Sequence, residues 1–287
     1  MRISVFDPKR TIATTWQYGI PMLVKGHFQA GGYAVINRRY FVGGLTLVAT
    51  SRPLFAAPPE ELTAMSVEGS IALKRYSPES TGKRPGVVVL HGARGIELKP
   101  RAYERYANAL TAAGIDAYLI RYYSHADEQV LDKLSTQEER EAYRTDRFDI
   151  WADRVSSALT GILERPDSSG RVGLLGFSLG GYVAAAAAAR DDRVSALAVL
   201  YGGMPNKMVS RVKRLPPLLE LHGDADHNVP LAQGEALVKL AKSVGAQAEQ
   251  VVYPGKDHGF DFSDNDPATT DAIDRVVRFF RSDLQTG

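Results

Sequence analysis

The sequence predicts an α/β domain built on a mostly parallel sheet with helices on both faces, and three features predict it. From residue 64 onward, short apolar runs rich in β-branched residues alternate with longer stretches of helical periodicity. Several of these runs are apolar almost without interruption, as expected of strands covered on both faces. One of them, residues 171–177, passes through Gly176-Phe177-Ser178-Leu179-Gly180-Gly181 into an alanine-rich helical stretch, a strand-turn-helix unit.

Taken in order, strands are expected at residues 86–91, 116–123, 171–177, 194–201, 217–222 and 248–253, with residues 66–76 adding an antiparallel start. Helices are expected at 101–113, 146–163, 181–190, 231–244 and 269–284. In the last of these, Ile273, Val276, Val277 and Phe280 recur at helical spacing. No internal repeat or long linker interrupts the pattern, so residues 58–287 are expected to form one domain. The charged stretch 126–147 lies between a strand and a helix. On composition it fits a lid over a site or a solvated insertion helix, and the paired acids and bases of 137–147 fit a solvated helix face.

Charge separates the first 57 residues from the rest. The chain carries 35 Lys plus Arg against 33 Asp plus Glu in 287 residues, yet residues 1–57 hold seven bases (Arg2, Lys9, Arg10, Lys25, Arg38, Arg39, Arg52) and one acid, Asp7. That leaves +6 in residues 1–57 and −4 in residues 58–287, so charge gives no support to nucleic-acid or anionic-membrane binding by the larger part. Within the leader, Arg38-Arg39, the short apolar run 41–49, Arg52 and the pair Ala56-Ala57 resemble a twin-arginine signal peptide. The apolar run is about half of what a membrane span requires, so no stable membrane insertion is expected. The resemblance implies the twin-arginine export machinery as a partner and a periplasmic or secreted product. A cytoplasmic chain with a chance arginine pair is the competing account. The unpatterned residues 1–36 suggest a start assigned too far upstream.

Because the chain has no cysteine, a thiol nucleophile, disulfides and Cys-ligated metals are excluded. Covalent catalysis must then use oxygen or nitrogen, and Ser178 stands where such a nucleophile belongs. A serine at a sharp strand-to-helix turn projects its hydroxyl at the carboxyl edge of the sheet. Glycines two residues before and after it allow close backbone approach, and the following helix aims free N–H groups at the site. A serine hydroxyl needs a histidine base and an orienting acid. Asp226, in Leu221-His222-Gly223-Asp224-Ala225-Asp226-His227-Asn228-Val229-Pro230, follows one apolar strand. His258, in Gly255-Lys256-Asp257-His258-Gly259-Phe260, follows the next, so both fall on the same sheet edge as Ser178. Nothing in this set calls for a metal or an organic cofactor.

These segments, together with Val87-Val88-Val89-Leu90-His91-Gly92-Ala93-Arg94-Gly95, resemble the dienelactone hydrolase family of α/β-hydrolases over roughly residues 66–284. The resemblance implies the α/β-hydrolase fold, with Ser178 as nucleophile, Asp226 as orienting acid and His258 as base. It also implies an oxyanion hole from the Ala93 and Leu179 N–H groups. The founding enzymes of that family use cysteine at the position of Ser178 and a glutamate near Gly92. Both are missing here, which points to a conventional serine esterase acting on a small-molecule ester or lactone.

Rivals for each role are weighed on local grounds. Asp224 competes with Asp226 but suits a turn former just past the strand. His227 adjoins the acid and is expected to point away, while His91 and His222 close apolar strands and fit satisfied structural histidines. Arg94, Tyr123 and His125 sit at expected strand tips as candidate substrate-binding residues, Arg94 by a bidentate contact to a carboxylate. Tyr201 and Phe260 fit either an acyl pocket or the core. The same triad also serves serine peptidases and acyl-transfer enzymes, and a non-catalytic binding protein on this fold is a third reading. Oligomeric state has no sequence signal.

Overall fold

A computed structural model describes residues 58–285, and the expected leader, residues 1–57, lies outside the described residues. The described chain forms an eight-stranded sheet from β1 (Glu60–Ser66), β2 (Gly69–Tyr76), β3 (Arg84–Leu90), β4 (Asp116–Ile120), β5 (Ser168–Phe177), β6 (Val194–Leu200), β7 (Leu218–Gly223) and β8 (Ala248–Tyr253). Their order is β1-β2-β4-β3-β5-β6-β7-β8. The pairs β1–β2 and β2–β4 are antiparallel, and every pair from β4 to β8 is parallel.

The six expected central strands are all present. The expected antiparallel start is instead a hairpin: Ser66 pairs with Gly69 across a tight turn, and Gly69 adopts φ 90°, a backbone conformation that glycine takes without strain. The strand expected to reach residue 123 ends at Ile120. Ser124 then caps the next helix, exchanging hydrogen bonds with Asp127 in a capping box, so residues 121–123 leave the sheet.

Alternation along the strands divides the core into two layers. Val88, Leu90, Leu174, Leu197 and Val199 face the layer that holds α3 (Gln137–Leu163), α4 (Leu179–Arg190), the short α5 (Asn206–Val209) and α6 (Leu231–Ser243). Val87, Val89, Leu175, Phe177, Ala198 and Leu200 face α1 (Pro100–Ala112) and α7 (Pro267–Gln285). Each such aliphatic side chain contributes about 1.5–3 kcal/mol on burial. Val183 and the five alanines 184–188 of α4 are all fully buried, and these small side chains let the helix lie close to β3, β5 and β6.

The charged stretch 126–147 becomes α2 (His125–Leu131) and the first three turns of α3, which is longer at its start than the expected helix 146–163. Thr136 and Glu139 form a capping box that starts α3 there. Asp127, fully buried, ties the segment down by accepting from Tyr143, Arg147 and Trp151 of α3. On α3 itself the acids Glu138, Glu139, Glu141 and Asp146 stay exposed, as expected of a solvated face, while Arg147 turns inward to Asp127.

Candidate active site

Ser178 occupies the turn between β5 and α4 with φ 53° and ψ −120°, a conformation a residue with a side chain adopts only under strain. The turn closes this tightly because Gly176 and Gly180 lack side chains. A Cβ on Gly176 would overlap the Gly180 carbonyl, and one on Gly180 would overlap the carbonyls of Leu90 and His91. The Ser178 N–H donates to Leu200 O at 2.9 Å, which pins the turn to the end of β6.

Asp226 follows β7 and His258 follows β8, and the structure brings both to Ser178. The Ser178 hydroxyl donates to His258 Nε2 at 2.9 Å, and His258 Nδ1 donates to Asp226 Oδ2 at 2.7 Å. The other carboxylate oxygen of Asp226 accepts from the N–H groups of Asn228 and Val229, each at 2.8 Å. With all four of these atoms fixed, the imidazole is held in one tautomer: Nδ1 protonated, Nε2 free to receive a proton. The Tyr201 ring lies 4.6 Å from that imidazole and fills one side of it.

Ala93 and Leu179 both line the cavity beside Ser178. Leu179 is the first residue of α4, where an N–H has no partner inside the helix, and neither N–H donates to another group among the described residues. The neighbouring Gly92 N–H is engaged, donating to the Tyr103 hydroxyl at 3.0 Å.

The rivals settle into other tasks. Asp224 sits within the 223–226 turn, and its Oδ1 accepts from the Gly255 N–H in the loop after β8, tying the two loops together. His227 is exposed beside Asp257, 3.4 Å away. His91 is buried, stacks on Tyr122 and is pushed down to about 4 by desolvation, so it stays neutral. Tyr201 lines the cavity, whereas Phe260 packs in the core against Tyr253.

Of the three candidate substrate-binding residues, only Arg94 lines the cavity. Tyr123 and His125 do not, because the strand ends before them. Tyr123 turns under the loop after β3 and donates to Ala93 O at 3.2 Å, and His125 opens α2 with its side chain 83% exposed. The sequence reading missed several lining residues. Tyr182 was detectable, since it stands one helical turn after Ser178 on the same face. Arg144 and Phe148 come from α3, and Met204, Lys207 and Met208 from the segment after β6; no local pattern links either segment to the site. The cavity holds about 880 Å³, and Nε of Arg144 is buried in its wall without a protein acceptor. Among the described residues no cluster of His, Asp and Glu has the makings of a metal site, and no helix is long and apolar enough to cross a membrane.

Residues 71–284 match the model of the Dienelactone hydrolase family. The chain belongs to that family. The dienelactone hydrolase of Anabaena variabilis shares the α/β-hydrolase fold at TM-score 0.64 and 23% identity, over 79% of this chain and all of that one. A thermostable carboxylesterase from a metagenomic library superposes at TM-score 0.62 with 19% identity, over 80% of this chain and 90% of that one. The acylaminoacyl peptidase of Pyrococcus horikoshii does so at 0.63 with 15% identity, over 82% of this chain and 43% of that one. A short stretch of 44 residues is 39% identical to the isoprenylcysteine alpha-carbonyl methylesterase of Arabidopsis thaliana. It spans 15% of this chain and a tenth of that protein. This dienelactone hydrolase family member therefore has a family-wide match over its catalytic part and only a local one to the methylesterase.

Proposed function

We propose that the protein is a serine carboxylic-ester hydrolase that cleaves a small or medium ester or lactone through an acyl-enzyme. The observation that carries this reading is the hydrogen-bonded chain Ser178–His258–Asp226 on the wall of a cavity large enough for such a substrate. Ser178 Oγ attacks the ester carbonyl as His258 Nε2 takes its proton. Charge developing on the carbonyl oxygen is received by the Ala93 and Leu179 N–H groups, reinforced by the positive end of α4. His258 then protonates the departing alkoxide. Water, deprotonated by the same nitrogen, attacks the acyl-enzyme and releases the acid and Ser178. Asp226 holds the imidazole in register and stabilises its charged form.

Arg94 and Arg144 line the cavity and suit an acyl or alcohol portion that bears a carboxylate. The test is labelling with a fluorophosphonate together with a panel of p-nitrophenyl esters and lactones. Wild type should label and turn over, and Ser178→Ala should do neither; full ester hydrolysis by folded Ser178→Ala would sink the assignment. Aminoacyl p-nitroanilides in the same panel separate ester from amide cleavage, and undiminished turnover in EDTA is expected.

Export by the twin-arginine route is part of the proposal, supported by the arginine pair, apolar run and alanine pair of residues 38–57. Sizing the protein in periplasmic and cytoplasmic fractions of its native host tests it: a periplasmic product starting near Ala57 supports export, and a full-length cytoplasmic product overturns it.

A further inference from the structure

Behind the triad, β7 carries a second buried polar couple. Glu220 and His222 lie two residues apart and so on one face of the strand. Both side chains are fully buried. His222 Nδ1 stands 2.7 Å from Glu220 Oε1, and Nε2 stands 2.8 Å from the Val229 carbonyl oxygen. A carbonyl only accepts, so Nε2 carries a hydrogen. The short contact at Nδ1 needs a second proton, on either the ring or the carboxyl. Glu220 and His222 together therefore hold two exchangeable protons and no net charge. Gln250 of β8 donates to the remaining carboxyl oxygen at 2.9 Å.

The couple touches the triad at Asp226. The His222 Nε2–H that binds Val229 O also faces Asp226 Oδ2 at 3.5 Å, and the N–H of that same Val229 donates to Asp226 Oδ1. His222 thus grips the turn that aims the acid and faces the same carboxylate oxygen that His258 binds. A leucine at position 220 would match Leu218, Leu219 and Leu221 and avoid the cost of burying a carboxyl, which is several kcal/mol for an unpaired charge. The fold instead makes room for the carboxyl: a Cβ on Gly234 of α6 would overlap it.

We propose that Glu220 and His222 are positioning residues for catalysis, extending the array Ser178–His258–Asp226 by a hydrogen-bonded couple that fixes the 226–229 turn. The proposal rests on the hydrolase reading above. Protonation is consistent with it. Burial holds the Glu220 carboxyl above its ordinary range; burial also opposes charge on His222, but the hydrogen bond and charge of Glu220 outweigh it and raise that ring. The other groups facing the couple are Glu235 from α6, Tyr182 from α4, Gln250 from β8 and Asp226 with His258 beyond it.

The experiment measures kcat and KM for a short-chain p-nitrophenyl ester across about pH 5–9, per site titrated with fluorophosphonate, in wild type, Glu220→Gln and Gln250→Leu. Glu220→Gln keeps the shape and removes the exchangeable proton site. It should lower kcat about tenfold with KM within about twofold. It should also shift the acid limb of the kcat/KM profile, because an amide cannot share a proton with His222 and the 226–229 turn that holds Asp226 is then fixed differently. Gln250→Leu removes only the outer hydrogen bond near the sheet edge and should move kcat and the acid limb in the same directions by less. A purely structural couple leaves kcat per titrated site and the acid limb unchanged in folded Glu220→Gln, and that result overturns the proposal. If Glu220→Gln does not fold, an unchanged profile in Gln250→Leu overturns it equally. A wild-type chain that neither labels nor hydrolyses any ester would sink the hydrolase reading and this proposal together, whereas active wild type with unaltered variants sinks this proposal alone.

Discussion

Tyr201 donates its hydroxyl to Asp261 Oδ1 at 2.8 Å, and the other oxygen of that fully buried carboxyl accepts from Tyr106 at 2.9 Å. Because the Tyr201 ring also packs on His258, the wall behind the catalytic imidazole is anchored to a buried acid.

That acid makes stability fall with pH. Burial pushes Asp261 from 3.8 up to about 6, against the opposing effect of the two tyrosine hydroxyls. Below pH 3.8 folded and unfolded chains both hold the proton. Between 3.8 and about 6 only the folded chain holds it, so this stabilisation is lost as pH rises through the window and stays lost above it. The loss is on the order of 3 kcal/mol. Urea melts of wild type and Asp261→Asn across this range should diverge by that amount, and parallel curves would show that the acid does not titrate there.

Strain at the nucleophile predicts a trade between stability and activity. Ser178 sits at φ 53°, ψ −120°, where glycine alone is comfortable. Ser178→Gly should abolish ester hydrolysis and raise the unfolding free energy by about 1 kcal/mol. A thermal melt with no upward shift would count against strain in the turn.

Asp226→Asn tests the tautomer. An amide placed at the carboxylate position can donate to His258 Nδ1, which leaves the hydrogen on Nε2, the atom that must accept the Ser178 proton. The expected loss in kcat is about 10⁴-fold with little change in KM. A loss below about tenfold would mean that Asp226 is not the orienting acid.

Tyr123→Phe removes the hydrogen bond to the Ala93 carbonyl, which steadies the loop bearing one of the two N–H groups proposed to receive the oxyanion. A hydrogen bond of this kind contributes about 1 kcal/mol, so kcat should fall about threefold to tenfold with KM unchanged. A raised KM with normal kcat would instead place Tyr123 in substrate binding.

Much of the site could be read from local pattern because each part of it is local. Ser178 lies in a six-residue turn whose glycines are dictated by contacts within that turn and with the ends of β3 and β6. Asp226 and His258 each follow an apolar run, and parallel strands deliver their carboxyl ends to one edge. Where expectation and structure differ, the chain turned three residues early. Tyr123 and His125 were placed at a strand tip, but β4 ends at Ile120 and the Ser124–Asp127 capping box redirects the chain. The acids of 137–147 are exposed as their charge suggests, but local pattern does not record that Tyr143, Arg147 and Trp151 of α3 converge on buried Asp127, 16 to 24 residues earlier in the chain.

The sequence alone determined the fold class and singled out Ser178, Asp226 and His258 as one set, since alternation, turn chemistry and the absence of cysteine are properties of neighbouring residues. Tertiary structure alone decided which residues wall the cavity, which hydroxyl braces the loop after β3, and that His222 of the Glu220–His222 couple meets Asp226. Those relationships join segments from different strands and helices, and their distances follow from packing across the sheet, which no local periodicity records.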